Sequence, residues 1–285
     1  MEYAYSLVVQ AGVFILLASS FNLIIGHAGL ASIAHPIFYA TGAYTSALLA
    51  LHAAWPVWLA IPTGALAAAL LSLALSVPAL RVSGDYLMVS SIGFQLGLLQ
   101  VIKNLEITGG QGGLSNIPRA IDGPAGAPLF ALLAIGSALV AVLLQQRLMR
   151  GAFGRAVAAL RDDELAFAAL GRDPRRMKLV LFALGSGLAG LAGGLYAFYF
   201  QYLSPDQFEI LFSGALLTMV VVGGLGSTWG PVFGAVVLTA LPQLITFWRL
   251  PPAIMAPLQG IVYSALVITF LFWRPFGLIR AEAPR

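Results

Sequence analysis

Charge is scarce in this sequence. Only 9% of its 285 residues are Asp, Glu, Lys or Arg, and none of the four occurs from Tyr3 to Leu80. Cysteine is absent, which excludes disulfides and thiolate metal sites. There are two lysines, Lys103 and Lys178, and neither is followed by Ser or Thr, so there is no phosphate-binding P-loop. The three histidines, His27, His35 and His52, belong to no HExxH-type metal motif. Ser186 lacks the surroundings of an intramembrane serine nucleophile, and Asp85, the one acidic residue near the start of a span, has no partner for an aspartyl pair. These absences point away from an enzyme. An ion-coupled carrier usually keeps Asp, Glu or His within its spans, whereas Asp85, Lys103 and Arg249 sit at span edges here. Backbone carbonyls can also bind sodium, so the ion-driven reading is weakened but stays open.

What is present is apolar. Hydrophobic residues make up 60% of the chain and its mean hydropathy is +0.92, values of an all-α, polytopic membrane protein. Long apolar runs replace the alternating segments of a membrane β-barrel. Candidate spans fall at about 4–25, 37–51, 57–77, 86–102, 128–147, 178–201, 210–223, 231–248 and 254–273, giving a single membrane domain over 1–285 with about 8–10 helices. Two of them, 37–51 and 210–223, are short for a crossing and read as tilted, broken or re-entrant. The N-terminus has no basic stretch, so Tyr3 to Ile25 reads as a first span and not a cleaved signal.

Charge is concentrated in one place. Twelve charged residues lie between Arg147 and Lys178, among them eight of the fifteen basic ones. Burying that segment in lipid would cost about 30 kcal/mol, at roughly 2.5 kcal/mol per charge. It must sit in water, and its basic excess places 148–177 in the cytoplasm. Tyr202–Glu209, with Asp206 and Glu209, is then external, and Arg274, Arg280 and Arg285 suit a cytoplasmic tail. Counting crossings puts Lys103–Pro128 outside and leaves the side of the N-terminus open.

Within the segment, Gly154–Leu170 reads as a short amphipathic helix. Ala156, Val157, Leu160, Phe167 and Leu170 form its apolar stripe, and Arg161, Asp162, Asp163 and Glu164 a central charge cluster. Gly171 stops it and Pro174 prevents an early restart. Such a helix can dock on a partner and pass on rigid-body motion. The plainer alternative is a solvated linker.

Three Gly-rich stretches interrupt the apolar runs: GHAGLAS at 26–32, TGGQGGLSNIP at 108–118 and GGLGSTWGP at 223–231. Irregular backbone at membrane depth persists only where protein packs it or a water-filled path runs beside it, so these are either pathway elements or interfacial loops. Gly29, Leu30, Ser32, Pro36 and Phe38 recur as Gly224, Leu225, Ser227, Pro231 and Phe233, each shifted by 195 residues. The match suggests an internal duplication whose copies point the same way.

Taken together, several stretches resemble the M-type permease subunit of branched-chain amino acid ABC importers. They are NLIIGHAGLASIAHPIFYATGAYTSALL, GDYLMVSSIGFQLGLLQVIKN with ITGGQGGLSNIP, the charged segment GRAVAALRDDELAFAALGRDPRRMK, SPDQF and VVGGLGSTWGPVFGA. The resemblance implies that Gly154, Arg155, Arg161, Asp162 and Gly171, with Asp163 and Glu164 beside them, meet a cytoplasmic ATPase. It implies a second homologous permease, two ATPase subunits that hold ATP and magnesium, and an extracytoplasmic binding protein. The site would be a bacterial inner membrane, with no cofactor on this chain and no nucleic acid. Ala31, and the pair Ala34–His35, depart from the family's first motif, so urea or short amides stand beside branched-chain amino acids as substrates. Candidate pathway residues are Asn22, Gly29, Ser32, Thr108, Gly109, Gly110, Ser115, Asn116, Gly224 and Ser227, whose backbone dipoles and hydroxyls could meet a zwitterion. If energy comes from separate ATPases, the chain alone in liposomes under an ion gradient should take up no substrate; uptake there would establish the carrier reading.

Overall fold

Apolar helix formers dominate between the glycine breaks, and helices follow wherever they run unbroken. The computed structural model describes residues 2–79, 85–121, 123, 125–246, 261, 264, 265, 268, 269 and 277–279. In chain order the helices are α1 Glu2–Asn22, α2 His35–Ala53, α3 Val57–Ala79, α4 Asp85–Asn104 and α5 Gly126–Arg150. They are followed by α6 Ala152–Asp162, α7 Glu164–Ala169, α8 Pro174–Phe200, α9 Ile210–Gly223 and α10 Gly230–Thr246. Helix α1 continues as a π turn over Leu23–His27. No strand forms among the described residues; one isolated bridge joins Leu114 and Leu203.

Among the described residues five helices are long and apolar enough to cross a membrane, and they correspond to α1 with its π turn, α3, α4, α5 and α8. The shorter α9 and α10 are also apolar. Each expected span from 4–25 to 231–248 thus finds its helix. The one expected at 254–273 lies outside the described residues apart from five isolated positions, as do Arg249, Arg274, Arg280 and Arg285.

Helix α8 is the axis of the bundle, packed on α1, α2 and α3. In a membrane, helices gain little from hydrophobic sorting and associate through close packing of small residues. That is the arrangement here. A Cβ placed on Gly42 of α2 would lie 2.2 Å from Gly190 Cα of α8, and one on Gly193 would lie 2.2 Å from Tyr39 O. Gly64 of α3 approaches the Gly42 carbonyl as closely, at 2.5 Å for the added carbon. These positions accept only hydrogen as side chain.

Contacts along the helices order the two ends. Ser6 near the start of α1 meets Tyr199 near the end of α8 (3.1 Å), and Tyr3 is hydrogen-bonded to Gln243 of α10. The other end of α1 reaches Arg161 of the charged segment. The N-terminus therefore lies on the face opposite the charged segment. Leu278 N and Ile279 N donate to Val222 O and Gly223 O, so these tail residues lie at the end of α9 that faces the charged segment.

The suspected duplication has a structural counterpart. Helix α1 descends to the charged face, the chain breaks, and α2 returns; α9 descends, breaks, and α10 returns. The offset of 195 residues maps His35, the first residue of α2, onto Gly230, the first of α10, and both helices carry proline next, Pro36 and Pro231. The units run in the same sense. Replacing Gly42 by valine should force α2 and α8 apart and destabilise the protein by about 1–3 kcal/mol or more, seen as a lower midpoint of thermal unfolding in detergent, while Gly136→Ala, with open space around it, should leave the midpoint unchanged.

Candidate functional site

The charged segment is two helices, not one. Asp163 leaves the helical region (φ −154°, ψ 107°) and its Oδ1 accepts from Leu165 N and Ala166 N at 2.8 and 2.9 Å. An aspartate that can cap a new helix competes with continuing the old one, so α6 ends and α7 restarts. The expected helix over Gly154–Leu170 is thus corrected to Ala152–Asp162 and Glu164–Ala169. Its stop was read correctly: Gly171 has φ +77°. Helix resumes only at Pro174, which opens α8, with Asp173 extended before it and its Oδ1 accepting from Arg175 N and Arg176 N at 2.9 and 3.3 Å.

The apolar stripe is also shorter than expected. Ala156, Leu160 and Phe167 are buried together against Met177, and Val157 joins the main core. Leu170 is 77% exposed and Leu165 82% exposed, because the break at Asp163 turns α7 and leaves only Phe167 facing inward. Arg172 lies over the Phe167 ring at 5.9 Å, and Lys178 Nζ bonds Glu164 Oε2 at 2.7 Å. Gly154 packs so tightly on the end of α5 that a Cβ there would lie 1.7 Å from Met149 O. Arg155, Asp162 and Glu164 are exposed.

Arg161 is exposed as well, but its guanidinium also reaches inward. Its Nη1 donates to Gly26 O in the π turn that ends α1, at 2.7 Å. Its stem covers Gly29, whose added Cβ would lie 3.1 Å from Arg161 Cγ. Directly beside it, the Asn22 carboxamide is used at both ends: Gly226 N donates to Oδ1 at 2.9 Å, and Nδ2 donates to Ser227 O at 2.8 Å. Ser227 Oγ in turn donates to Gly224 O at 3.0 Å and accepts from Gly230 N at 2.9 Å, at the start of α10. The first and third glycine breaks therefore meet under α6.

The first break is held from three directions. His35 opens α2 level with Ser20, Nε2 to Oγ at 2.8 Å. Seven residues of helix separate Ser20 from His27, so α2 begins roughly 10 Å inside the end of α1. The irregular backbone between them needs hydrogen-bond partners that lipid cannot supply. Ser91 Oγ accepts from Ile33 N at 2.9 Å, Ser213 Oγ donates to Ile33 O at 2.7 Å, and Gln95 Oε1 accepts from Ile37 N at 2.9 Å. Gln95 Nε2 also donates to Phe208 O at 2.7 Å. Sequence reasoning passed over Ser91, Gln95 and Ser213; their signal was a polar group one helical turn apart, or near an end, in otherwise apolar helices.

The second break lies at the opposite face. There Leu114 and Leu203 exchange backbone hydrogen bonds (2.8 and 2.9 Å), Tyr202 Oη donates to Gly112 O, and Gln201 Nε2 donates to Ile117 O. Lys103 Nζ pairs with Asp206 and Glu209 at 2.9 and 3.0 Å. Thr108 is buried and donates back to its own helix end, whereas Ser115 and Asn116 are exposed. The candidate pathway residues thus divide. Asn22, Gly29, Gly224 and Ser227 gather under α6, Ser32 lies buried in the first break next to Ile33, which Ser91 and Ser213 hold, and Thr108, Gly109, Gly110, Ser115 and Asn116 lie across the protein.

A family model described as branched-chain amino acid transport system / permease component matches residues 3–271. The chain belongs to this permease family. It is 32% identical to the high-affinity branched-chain amino acid transport system permease protein LivM of Escherichia coli K12, over 96% of this chain and 69% of that protein. A probable branched-chain amino acid transport permease, LivM of Methanocaldococcus jannaschii, is 26% identical over 71% of this chain and 62% of its own length. The autoinducer 2 import system permease protein LsrC of Salmonella typhimurium is 27% identical over 58% of this chain and 50% of its own. No solved structure matches. Removing the Asp163 cap should fray α7 at a cost of about 1 kcal/mol; in Asp163→Ala, amide exchange over 164–170 should rise about fivefold with α6 unaffected.

Proposed function

We propose that this chain is the membrane permease subunit of a bacterial inner-membrane importer for branched-chain, hydrophobic amino acids, driven by separate ATPase subunits. The observation that carries this reading is the family match along nearly the whole chain, together with 32% identity to a branched-chain amino acid permease. The composition agrees, since a chain without a phosphate-binding loop or an ionisable relay needs energy from outside itself. A second homologous permease, two ATPases holding ATP and magnesium, and an extracytoplasmic binding protein complete the assembly.

In this reading the charged segment faces the cytosol and its two helices divide the work. Helix α7 presents Leu165 and Leu170 to water that no lipid replaces, flanked by Asp162 and Arg172, and seats in the ATPase. Helix α6 faces the membrane and passes the movement on through Arg161. Closure of the ATPases on ATP shifts α6–α7 and switches the cavity between outward and inward access. Substrate selection lies with the binding protein and with backbone dipoles along the path. Neither helix has a catalytic part.

Asp162→Lys and Leu165→Glu alter exposed side chains and should leave the protein folded in the membrane. Each should cut leucine uptake by cells at least tenfold and reduce the ATPase recovered when the permease is purified. Normal uptake with both changes present would sink the docking assignment. Purification from the native host should bring down two ATPases and a second permease, and a panel of leucine, urea and aromatic acids then fixes the substrate class.

A further inference from the structure

The contacts under α6 form a continuous chain. Arg161 of α6 holds Gly26 O at the end of α1; Asn22, one turn back on α1, holds Gly226 N and Ser227 O; Ser227 Oγ holds Gly230 N, where α10 starts. We propose that Arg161 and Asn22 are positioning residues that make one latch of the two glycine breaks, so that movement of α6 reaches the start of α10 through the end of α1. The proposal rests on the energy-coupling role given above to the segment. It reassigns both residues: Arg161 from a partner-facing charge to an inward tie, and Asn22 from a substrate contact to a strut.

Geometry and chemistry support the reassignment. Asn22 is 1% exposed, and its oxygen and nitrogen are both engaged by backbone groups of the other repeat. A carboxamide is the side chain that can accept from an N–H and donate to a C=O of adjacent residues; aspartate supplies only the first. The space is closed as well, since a Cβ on Gly26 would lie 1.9 Å from Asn22 Oδ1 and 2.6 Å from Gly226 N. Arg161 reaches across to this cluster: an added Cβ on Gly226 would lie 3.4 Å from Arg161 Nη1 and 3.2 Å from Gly26 O. The π turn at Leu23–His27 is what makes the tie possible. A terminal carbonyl left without a helical partner accepts from a cation, and arginine is the side chain with the reach and the fixed charge to supply it.

By contrast, α2, α3 and α8 interlock through glycine contacts that leave no room for sliding. The end of α1 packs on this core as well, since a Cβ on Gly185 of α8 would lie 2.7 Å from Ile24 and 3.0 Å from Ser20 O, so the latch joins α6 and the 224–229 break at the core's edge. The order of the ties predicts how they fail. Cutting at Arg161 releases the latch from its driver, whereas cutting at Asn22 separates the two repeats from each other. Removing both should cost little more than removing one, because they act in series.

Amide exchange on the purified permease tests the latch without reference to transport. Asn22→Ala and Asn22→Asp should each raise exchange over 224–230, by on the order of tenfold for a lost hydrogen bond. Arg161→Met should raise exchange over 24–30 while 224–230 stays held by Asn22, and Arg161→Lys should raise it less. The double variant should match the larger single effect. Unchanged exchange over 224–230 in Asn22→Asp, which keeps the side chain's shape, would overturn the strut. In the full complex, Arg161→Met and Asn22→Asp should retain the ATPases yet lose the rise in ATP hydrolysis on adding binding protein loaded with leucine. If exchange rises as expected but that stimulation persists, the relay is refuted while the latch stands. If the wild type recovers no ATPase at all, the functional reading fails instead.

Discussion

Every peptide group left outside a regular helix at membrane depth must find a partner within the protein, and this need shapes the centre of the structure. Helix α2 starts well inside the bundle, so the chain between the π turn and His35 exposes N–H and C=O groups that α1 cannot satisfy. Side chains from α4 and α9 reach in to satisfy them: Ser91 and Gln95 from one, Ser213 from the other. The positions of Ser91, Gln95 and Ser213 in these apolar helices follow from that demand. A second set of partners, Asn22 and Ser227, serves the other break. These polar side chains are thus spent on the protein's own backbone.

How far was this legible in the sequence? The helices were, because long apolar runs bounded by Gly and Pro leave little choice of structure, and α3, α4 and α5 follow their runs within a few residues. The charged segment was also placed in water on energetic grounds alone. Its internal break was not foreseen. Asp163 sits in a run of four charged residues, and whether such a residue caps or merely faces solvent depends on backbone angles that no pattern reveals. Leu170 was assigned to the apolar stripe of one helix over Gly154–Leu170, whereas α7 restarts after Asp163 on a new face and leaves Leu170 exposed at its end.

The breaks show a different limit. Their glycine content marked them as irregular, and the offset of 195 residues marked two as related. What could not be read was which residues meet across a separation of about two hundred positions in sequence. Asn22 looked like a polar group available to substrate, whereas its two hydrogen bonds are made to Gly226 and Ser227. Thr108 was grouped with it on composition and lies at the far face. Spacing reports local geometry well, but a hydrogen-bond partner is a property of the assembled bundle.

The closeness of α2 to α8 bears on how the protein reaches its folded state in the bilayer. Although 19 residues long, α2 is not among the helices apolar enough to span on their own, since it carries His35, Thr41, Ser46 and two tyrosines. Its neighbour α8, with Gly190 and Gly193 shaped to receive it, is synthesised more than a hundred residues later. During synthesis α2 must therefore enter with the apolar α1 and α3 on either side and wait, half covered, for the groove that completes its burial. Membrane insertion of this chain is a cooperative act of several helices, and the innermost one is the last to be secured.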